Sequence, residues 1–223
     1  MKPDQEQFDA EGFVLAGGRG TRMGQDKALL SLAGRSLLDL ALDKLRVLPL
    51  AGAPRIAAAR SDLSAHAGVI ADLHPGCGPL SGIEAALAVS ARSLNVFLPV
   101  DIPLLPAHFL LWMLQRAETT GAVMTVPRVN GWPQPLCAVY HRDLLGHITA
   151  SLRAGDYKVM PVVTAAARAH SSFRPIDIFD VELVSSANSE LLALSPLPPH
   201  RWFHNCNTPE DMAGLGNALV LTQ

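Results

Sequence analysis

Phe13 to Leu30 reads FVLAGGRGTRMGQDKALL, and the order of residue types in it decides how the rest of the chain is read. Phe13 to Ala16 is a short apolar run of strand type. It passes without a break into Gly17, Gly18, Arg19 and Gly20, and the stretch then carries Arg22, Gly24 and Lys27. Glycine lets backbone N–H groups approach and wrap phosphate oxygens, while arginine and lysine offset the phosphate charge. A strand that ends in such a loop is a polyphosphate cradle. Two common phosphate motifs do not fit it: G-x-x-x-x-G-K-[ST] is absent, and the glycines at 18, 20 and 24 miss the G-x-G-x-x-G spacing by one residue.

Outward from the cradle, short aliphatic runs alternate with segments of helical period, the pattern of βαβ units around a mostly parallel sheet. Leu38, Ala41, Leu42 and Leu45 follow the i, i+3, i+4, i+7 rule, which predicts a helix capped by Ser36. Strands are expected at Arg55 to Ala59, Val69 to Ala71, Leu94 to Val100, Ala122 to Val126 and Leu136 to Tyr140, with a helix over Ile83 to Val89. Pro106 is expected at the first position of a helix that turns Phe109, Leu110, Met113 and Leu114 inward. Ser185 to His200 has no clear period and reads as a surface excursion. Thr208, Pro209, Glu210 and Asp211 resemble a capping box that opens the last helix.

The fold class is therefore a Rossmann-like, three-layer α/β/α arrangement with a mostly parallel central sheet. The 223 residues are 49% apolar and 17% charged, enough to bury the core of a single domain. Within it, 13–105 is expected to be the nucleotide-binding half, 106–223 the acceptor-binding half and 1–11 a flexible N-terminus.

A formal net charge of −2 without basic blocks excludes an electrostatic footprint for nucleic acid or an anionic membrane, leaving a small molecule as the expected partner. The N-terminus MKPDQEQFDAEG lacks the basic and apolar regions of a secretory signal. The longest apolar stretch, Leu94 to Leu105, is broken by Pro99, Asp101 and Pro103. A cytoplasmic location is expected. Cys77, Cys137 and Cys206 are odd in number and far apart, so reduced, mostly buried thiols are expected rather than disulfides or structural zinc. The eight histidines show no metal-ligand spacing, and no G-x-S-x-G elbow is present.

Asp101 follows the most apolar strand, at the carboxyl end where open α/β sheets place ligands. A carboxylate there suits Mg²⁺, which takes one or two protein carboxylates together with phosphate oxygens and water. Asp72 closes a short strand before a Gly/Pro-rich loop. Asn205 and Asn207 alternate along an extended segment, which puts both on one side.

The pattern L-A-G-G-x-x-x-R-M-G-x-D-K from Leu15 to Lys27 resembles the signature loop of the molybdenum cofactor guanylyltransferases, within the wider sugar-nucleotidyltransferase-like superfamily. GVIADLHPGCGPLSGIEAAL (Gly68 to Leu87), VFLPVDIPLL (Val96 to Leu105), QPLCAVY (Gln134 to Tyr140) and NCNTPEDM (Asn205 to Met212) resemble the same family in the same order, with GDYKVM near Gly155 a weaker match. The resemblance implies a nucleotide-diphospho-sugar transferase-like fold and transfer of GMP from GTP to the terminal phosphate of molybdopterin or Mo-molybdopterin.

By this resemblance Leu15, Ala16, Gly17, Gly18, Lys27, Asp72, Pro79, Leu80 and Asp101 bind the nucleotide, with Gly78 and Gly82 completing the wall around the base. Lys27, Arg22 and Asp101 carry the catalysis, Asp101 holds Mg²⁺, and Asn205 and Asn207 face the acceptor. A monomer in transient contact with other molybdenum cofactor proteins is the implied state. One position departs from the family: Ala57 stands where an asparagine often contacts the nucleotide, so GTP and a CTP-dependent cytidylyltransferase reading both stay open. A sugar-1-phosphate nucleotidyltransferase and a non-catalytic nucleotide-binding module are the remaining alternatives.

Overall fold

The computed structural model describes residues 7–17, 26–58, 60, 62–170, 174–193, 195–207, 211–212 and 215. In chain order the strands are β1 (Ala10–Leu15), β2 (Ser31–Leu32), β3 (Arg35–Ser36), β4 (Arg55–Ala57), β5 (Val69–Ile70), β6 (Leu94–Pro99), β7 (Met124–Val129), β8 (Trp132–Pro133), β9 (Ala138–His141) and β10 (Ile176–Asp180). The helices are α1 (Leu37–Arg46), α2 (Pro79–Val89), α3 (Ala107–Thr120), α4 (Leu145–Arg153), α5 (Val159–His170), α6 (Val181–Ala187), α7 (Ser189–Ala193) and α8 (Pro199–Trp202).

The central sheet runs β10-β7-β9-β6-β1-β4-β5, with β8 paired to β7 and a separate β2-β3 hairpin. β6, β1, β4 and β5 are parallel neighbours, as are β10 and β7; β9 is antiparallel to both β6 and β7. This is the mostly parallel sheet expected.

Side-chain alternation divides the interior into two layers. Val14, Ile56, Val96 and Leu98 pack with α1, α3 and the C-terminal helices on one face. Phe13, Leu15, Ala57 and Phe97 pack with α2, α4 and α5 on the other. β6 is buried along its whole length, which explains its unbroken apolar reading.

Helix ends follow local chemistry. Ser36 Oγ accepts the Asp39 amide at 3.0 Å and caps α1 as expected. Gly121 ends α3 in the left-handed region at φ +64°, and its amide reaches back to the carbonyls of Ala117 and Glu118. Pro106 occupies the N-cap of α3, one position before the place expected, because its extended ψ of 137° lies outside the helix. α2 starts at Pro79, four residues before its periodic apolar face, because proline at the first position needs no amide partner.

β1 begins at Ala10 and takes in Glu11, whose carboxylate pairs with Arg55 at 2.5 Å; Ala10 and Glu11 belong to the stretch expected to be flexible. Ser185 to His200 contains parts of α6 and α8 and the whole of α7. Its end is anchored by Trp202, which is fully buried and 5.4 Å from the ring of Phe109, with Nε1 donating to Leu197 O at 3.0 Å. Truncating such a tryptophan costs about 3–5 kcal/mol, so this anchor fixes where Asn205 to Asn207 emerge. Among the described residues no helix is long and apolar enough to cross a membrane. The proposed cap at Thr208, Pro209 and Glu210 lies outside the described residues.

Candidate active site

Four parallel strands and their continuations bring the first half of the site together at the carboxyl edge of the sheet. Leu15, Ala16 and Gly17 continue β1, Ala57 ends β4, Asp72 follows β5, and Pro99, Val100 and Asp101 end β6; all line one cavity. Backbone bonds set their heights: the Ala16 amide donates to Ala57 O at 3.2 Å and the Val100 amide to Leu15 O at 3.4 Å. Gly78 and Pro79, the N-cap and first residue of α2, complete the wall, so the positive end of a helix dipole faces the cavity.

Lys27 opens a short 3₁₀ turn, Lys27–Leu29, whose N-cap Asp26 accepts the Ala28 amide at 3.1 Å. Asp26 is also held by Arg60, with Nη1 to Oδ2 at 2.5 Å, so the end of the cradle is tied to the chain just after β4. From this fixed turn the Lys27 ammonium donates to Asp101 Oδ2 at 2.7 Å and to Asn207 Oδ1 at 2.5 Å. Three residues separated by up to 180 positions thus meet at one point. The Cys206 amide donates to Asp101 O at 2.7 Å, which docks the Asn205 to Asn207 segment against the end of β6.

A second cleft of about 480 Å³ joins the first at Pro79, Pro99, Asp101 and Leu136. Ile102, Gln134, Pro135, Lys158, Met160 and Asn205 are among its other walls. Asp101 therefore stands where two binding spaces meet, one built mainly from the first half of the chain and one from the second.

The electrostatics divide the polar groups by role. Burial pushes the Asp72 carboxyl above its ordinary value, and among the described residues Asp72 Oδ1 has no hydrogen-bond partner. It is an acceptor left over for a ligand donor. Burial, reinforced by Asp211 and Asp101, pushes the Cys206 thiol up to about 11, and burial lifts Cys137 further still, so neither is a thiolate nucleophile at neutral pH. Cys77 is partly exposed and Cys137 and Cys206 are buried, all three as free thiols.

Most of the expected site residues converge here. Leu15, Ala16, Gly17, Lys27, Asp72, Pro79 and Asp101 line the first cavity, Asn205 the second, and Asn207 binds Lys27. Leu80 does not: it points into the layer beneath α2 and is fully buried, so it supports the wall rather than meeting a ligand. Gly18 and Arg22 lie outside the described residues. Gly82 does line the cavity, and a Cβ there would lie 3.5 Å from Leu15 Cδ2 and 3.7 Å from Asp72 Oδ1. Sequence reasoning missed Arg60, Gln134 and Lys158; the last sits in the GDYKVM segment, whose lone cation before a helix was an available signal.

The donor set fits a hard divalent cation. Asp101 Oδ2 and Asn207 Oδ1 already converge on one positive charge, that of Lys27. No group of three or more His, Cys, Asp or Glu that could hold a metal occurs among the described residues. One carboxylate and one amide oxygen suit Mg²⁺, which completes its shell with phosphate and water, and not an all-protein cage.

A strand-borne cradle, a lysine and a carboxylate meeting at the junction of two clefts define a nucleotidyltransferase of the NTP transferase fold. Residues 12–172 match the model of the MobA-like NTP transferase domain, and the chain belongs to that family. It is 32% identical over 205 residues to a probable molybdenum cofactor guanylyltransferase of Pelotomaculum thermopropionicum, covering 92% of this chain and 91% of that one. It is 33% identical over 209 residues to the molybdenum cofactor guanylyltransferase of Xanthomonas euvesicatoria, covering 92% and 93%. The crystal structure of molybdopterin-guanine dinucleotide biosynthesis protein A from Archaeoglobus fulgidus superposes with a TM-score of 0.70 over 93% of this chain and 97% of that one; at 24% identity this likeness speaks for the fold.

Proposed function

We propose that this protein transfers the guanylyl group of GTP to the terminal phosphate of molybdopterin, yielding the guanine dinucleotide cofactor and pyrophosphate. The observation that carries the proposal is the meeting of Lys27, Asp101 and Asn207 where the two clefts join. In this reading GTP enters at the first cavity, with its base toward Asp72, Gly78 and Pro79 and its phosphates toward Lys27. The acceptor fits the second cleft, beside Gln134, Lys158 and Asn205.

The acceptor phosphate oxygen attacks the α-phosphorus in line; a new P–O bond forms, the bond to the β-phosphate breaks, and pyrophosphate leaves with the electron pair. Such a reaction needs positioning and charge stabilisation more than covalent help, which agrees with the protonated, buried thiols of Cys137 and Cys206. Lys27 moves its charge onto the phosphates, and Asp101 and Asn207 orient it. Asp101 and Asn207 would also hold Mg²⁺, which supplies Lewis-acid stabilisation of the phosphates when bound. The phosphorylated substrates and free thiols suit a cytoplasmic enzyme.

One observation keeps a CTP-dependent relative in view: Ala57, 1% exposed, lies in the nucleotide wall with no polar group of its own to read a base or ribose. Pyrophosphate release with molybdopterin and Mg²⁺ tests the proposal when GTP, CTP, ATP and UTP are compared. Release with GTP alone supports it. A preference for CTP replaces the base assignment, and no release with any nucleotide overturns transferase activity toward this acceptor.

A further inference from the structure

Asp72 lies at the start of a loop whose position is set by a second pair of residues. Two residues on, the His74 amide donates to Ser81 Oγ at 3.1 Å, and His74 Nδ1 lies 2.7 Å from Glu84 Oε2. Ser81 and Glu84 belong to the first two turns of α2, and the Glu84 side chain is 1% exposed. A carboxylate only accepts, so Nδ1 carries the proton of this bond. The loop then turns: the Cys77 amide donates to His74 O at 3.3 Å, and Gly76 and Gly78 take φ of +86° and +75°, a region that glycine enters without strain.

These contacts bracket Asp72. Its Oδ1 lies over Gly82, one turn along α2 from the Gly78 cap, while the loop that follows it is pinned to Ser81 and Glu84 on the same helix. A buried carboxylate left without a partner is costly, and the partner that the described residues give Glu84 is His74. The loop therefore stays docked on α2, and Asp72, one of the residues lining the cavity, is held beside Gly82 instead of turning to water.

We propose that His74, held by Glu84, is a positioning residue for the nucleotide, acting through Asp72, which offers an acceptor to an N–H or O–H of the base or ribose. This rests on the nucleotide reading of the first cavity. His74 touches no reacting atom; it sets nucleotide affinity and leaves the acceptor cleft alone.

The test is equilibrium binding of GTP, by calorimetry, to the full chain and to His74→Ala, His74→Asn, Asp72→Ala and the His74→Ala/Asp72→Ala double variant, with folding checked by circular dichroism. Asparagine places its amide nitrogen close to where histidine places Nδ1, so it restores the bond to Glu84. His74→Ala is expected to bind GTP about tenfold more weakly, His74→Asn within about threefold of wild type, and the double variant no more weakly than Asp72→Ala alone. Wild-type affinity in His74→Ala, losses that multiply in the double variant, or no rescue by asparagine in a folded protein would each overturn the positioning role. Failure of the wild-type chain to bind GTP or CTP would instead overturn the nucleotide site on which it rests.

Discussion

The ammonium of Lys27 stands 2.7 Å from Asp101 Oδ2, joining the end of the glycine-rich loop to the end of β6 across 74 residues of chain. Both side chains keep about a quarter of their surface in water, at 23% and 25% exposure. An ion pair that wet contributes about 0–1 kcal/mol to folding, too little to explain its place at the junction of two clefts. Asp101→Ala should therefore leave the fold nearly as stable. Loss of about 4 kcal/mol of transition-state stabilisation would slow turnover roughly a thousandfold. Pyrophosphate release set beside thermal melting separates the two effects. Near-normal turnover in this variant would remove Asp101 from the chemistry.

Before nucleotide arrives, the same geometry leaves a divalent cation in competition with Lys27 for Asp101 and Asn207. A unit charge about 4 Å away opposes a divalent cation by roughly 2–8 kcal/mol between the dielectric of water and that of a protein surface. Mn²⁺ alone should accordingly bind the wild-type chain weakly, and Lys27→Met should bind it at least about tenfold more tightly, as read by electron paramagnetic resonance without nucleotide. Equal Mn²⁺ affinity in the two proteins would mean that the metal is held elsewhere.

The strand, loop and carboxylate of this site were legible in the sequence because each has a local signature. An apolar run breaking into glycines and cations announced β1 and Lys27, and an apolar run stopped by Asp101 announced β6. The Asn130–Gly131 turn between β7 and β8 was passed over although both residues take positive φ, at 48° and 80°, and the dipeptide is a strong hairpin signal. β10 went unseen because its edge position leaves most of its residues half-exposed, so no clean apolar run marks it. α4 and α5 are amphipathic, yet His147, Arg153, Arg168 and His170 interrupt their sequence and hid the period. Leu80 was assigned to the ligand because motif position is one-dimensional; which side of α2 a residue occupies is decided by the sheet beneath it. The Arg60 to Asp26 and His74 to Glu84 pairs form only once β4, β5 and α2 are assembled.

The second cleft makes its own prediction. Lys158 is the cation among its described walls, at the entry to α5, and the acceptor in the proposed reaction carries a phosphate. One charge-assisted hydrogen bond to that group is worth about 1.5 kcal/mol, so Lys158→Ala should raise the acceptor KM roughly tenfold while GTP affinity measured by calorimetry stays the same. A parallel loss of GTP affinity would place Lys158 on the nucleotide instead.

Lys44 gives a prediction about stability that is independent of the site. It lies on α1 with 9% of its surface exposed, and burial, reinforced by Arg35 and partly offset by Asp43, lowers its pKa to about 8. The unfolded chain, with lysine near 10.5, binds the proton more tightly than the native state, so the charged group opposes folding below pH 8 and this cost is relieved as pH rises from 8 to 10.5. The cost is about 3 kcal/mol at most, by conversion of that shift. Lys44→Met keeps the length of the side chain and discards the charge. It should raise Tm at pH 7 by several degrees, and the gain should shrink steadily between pH 8 and pH 10. A gain that persists unchanged at pH 10 would attribute the effect to packing around the methionine and not to the charge.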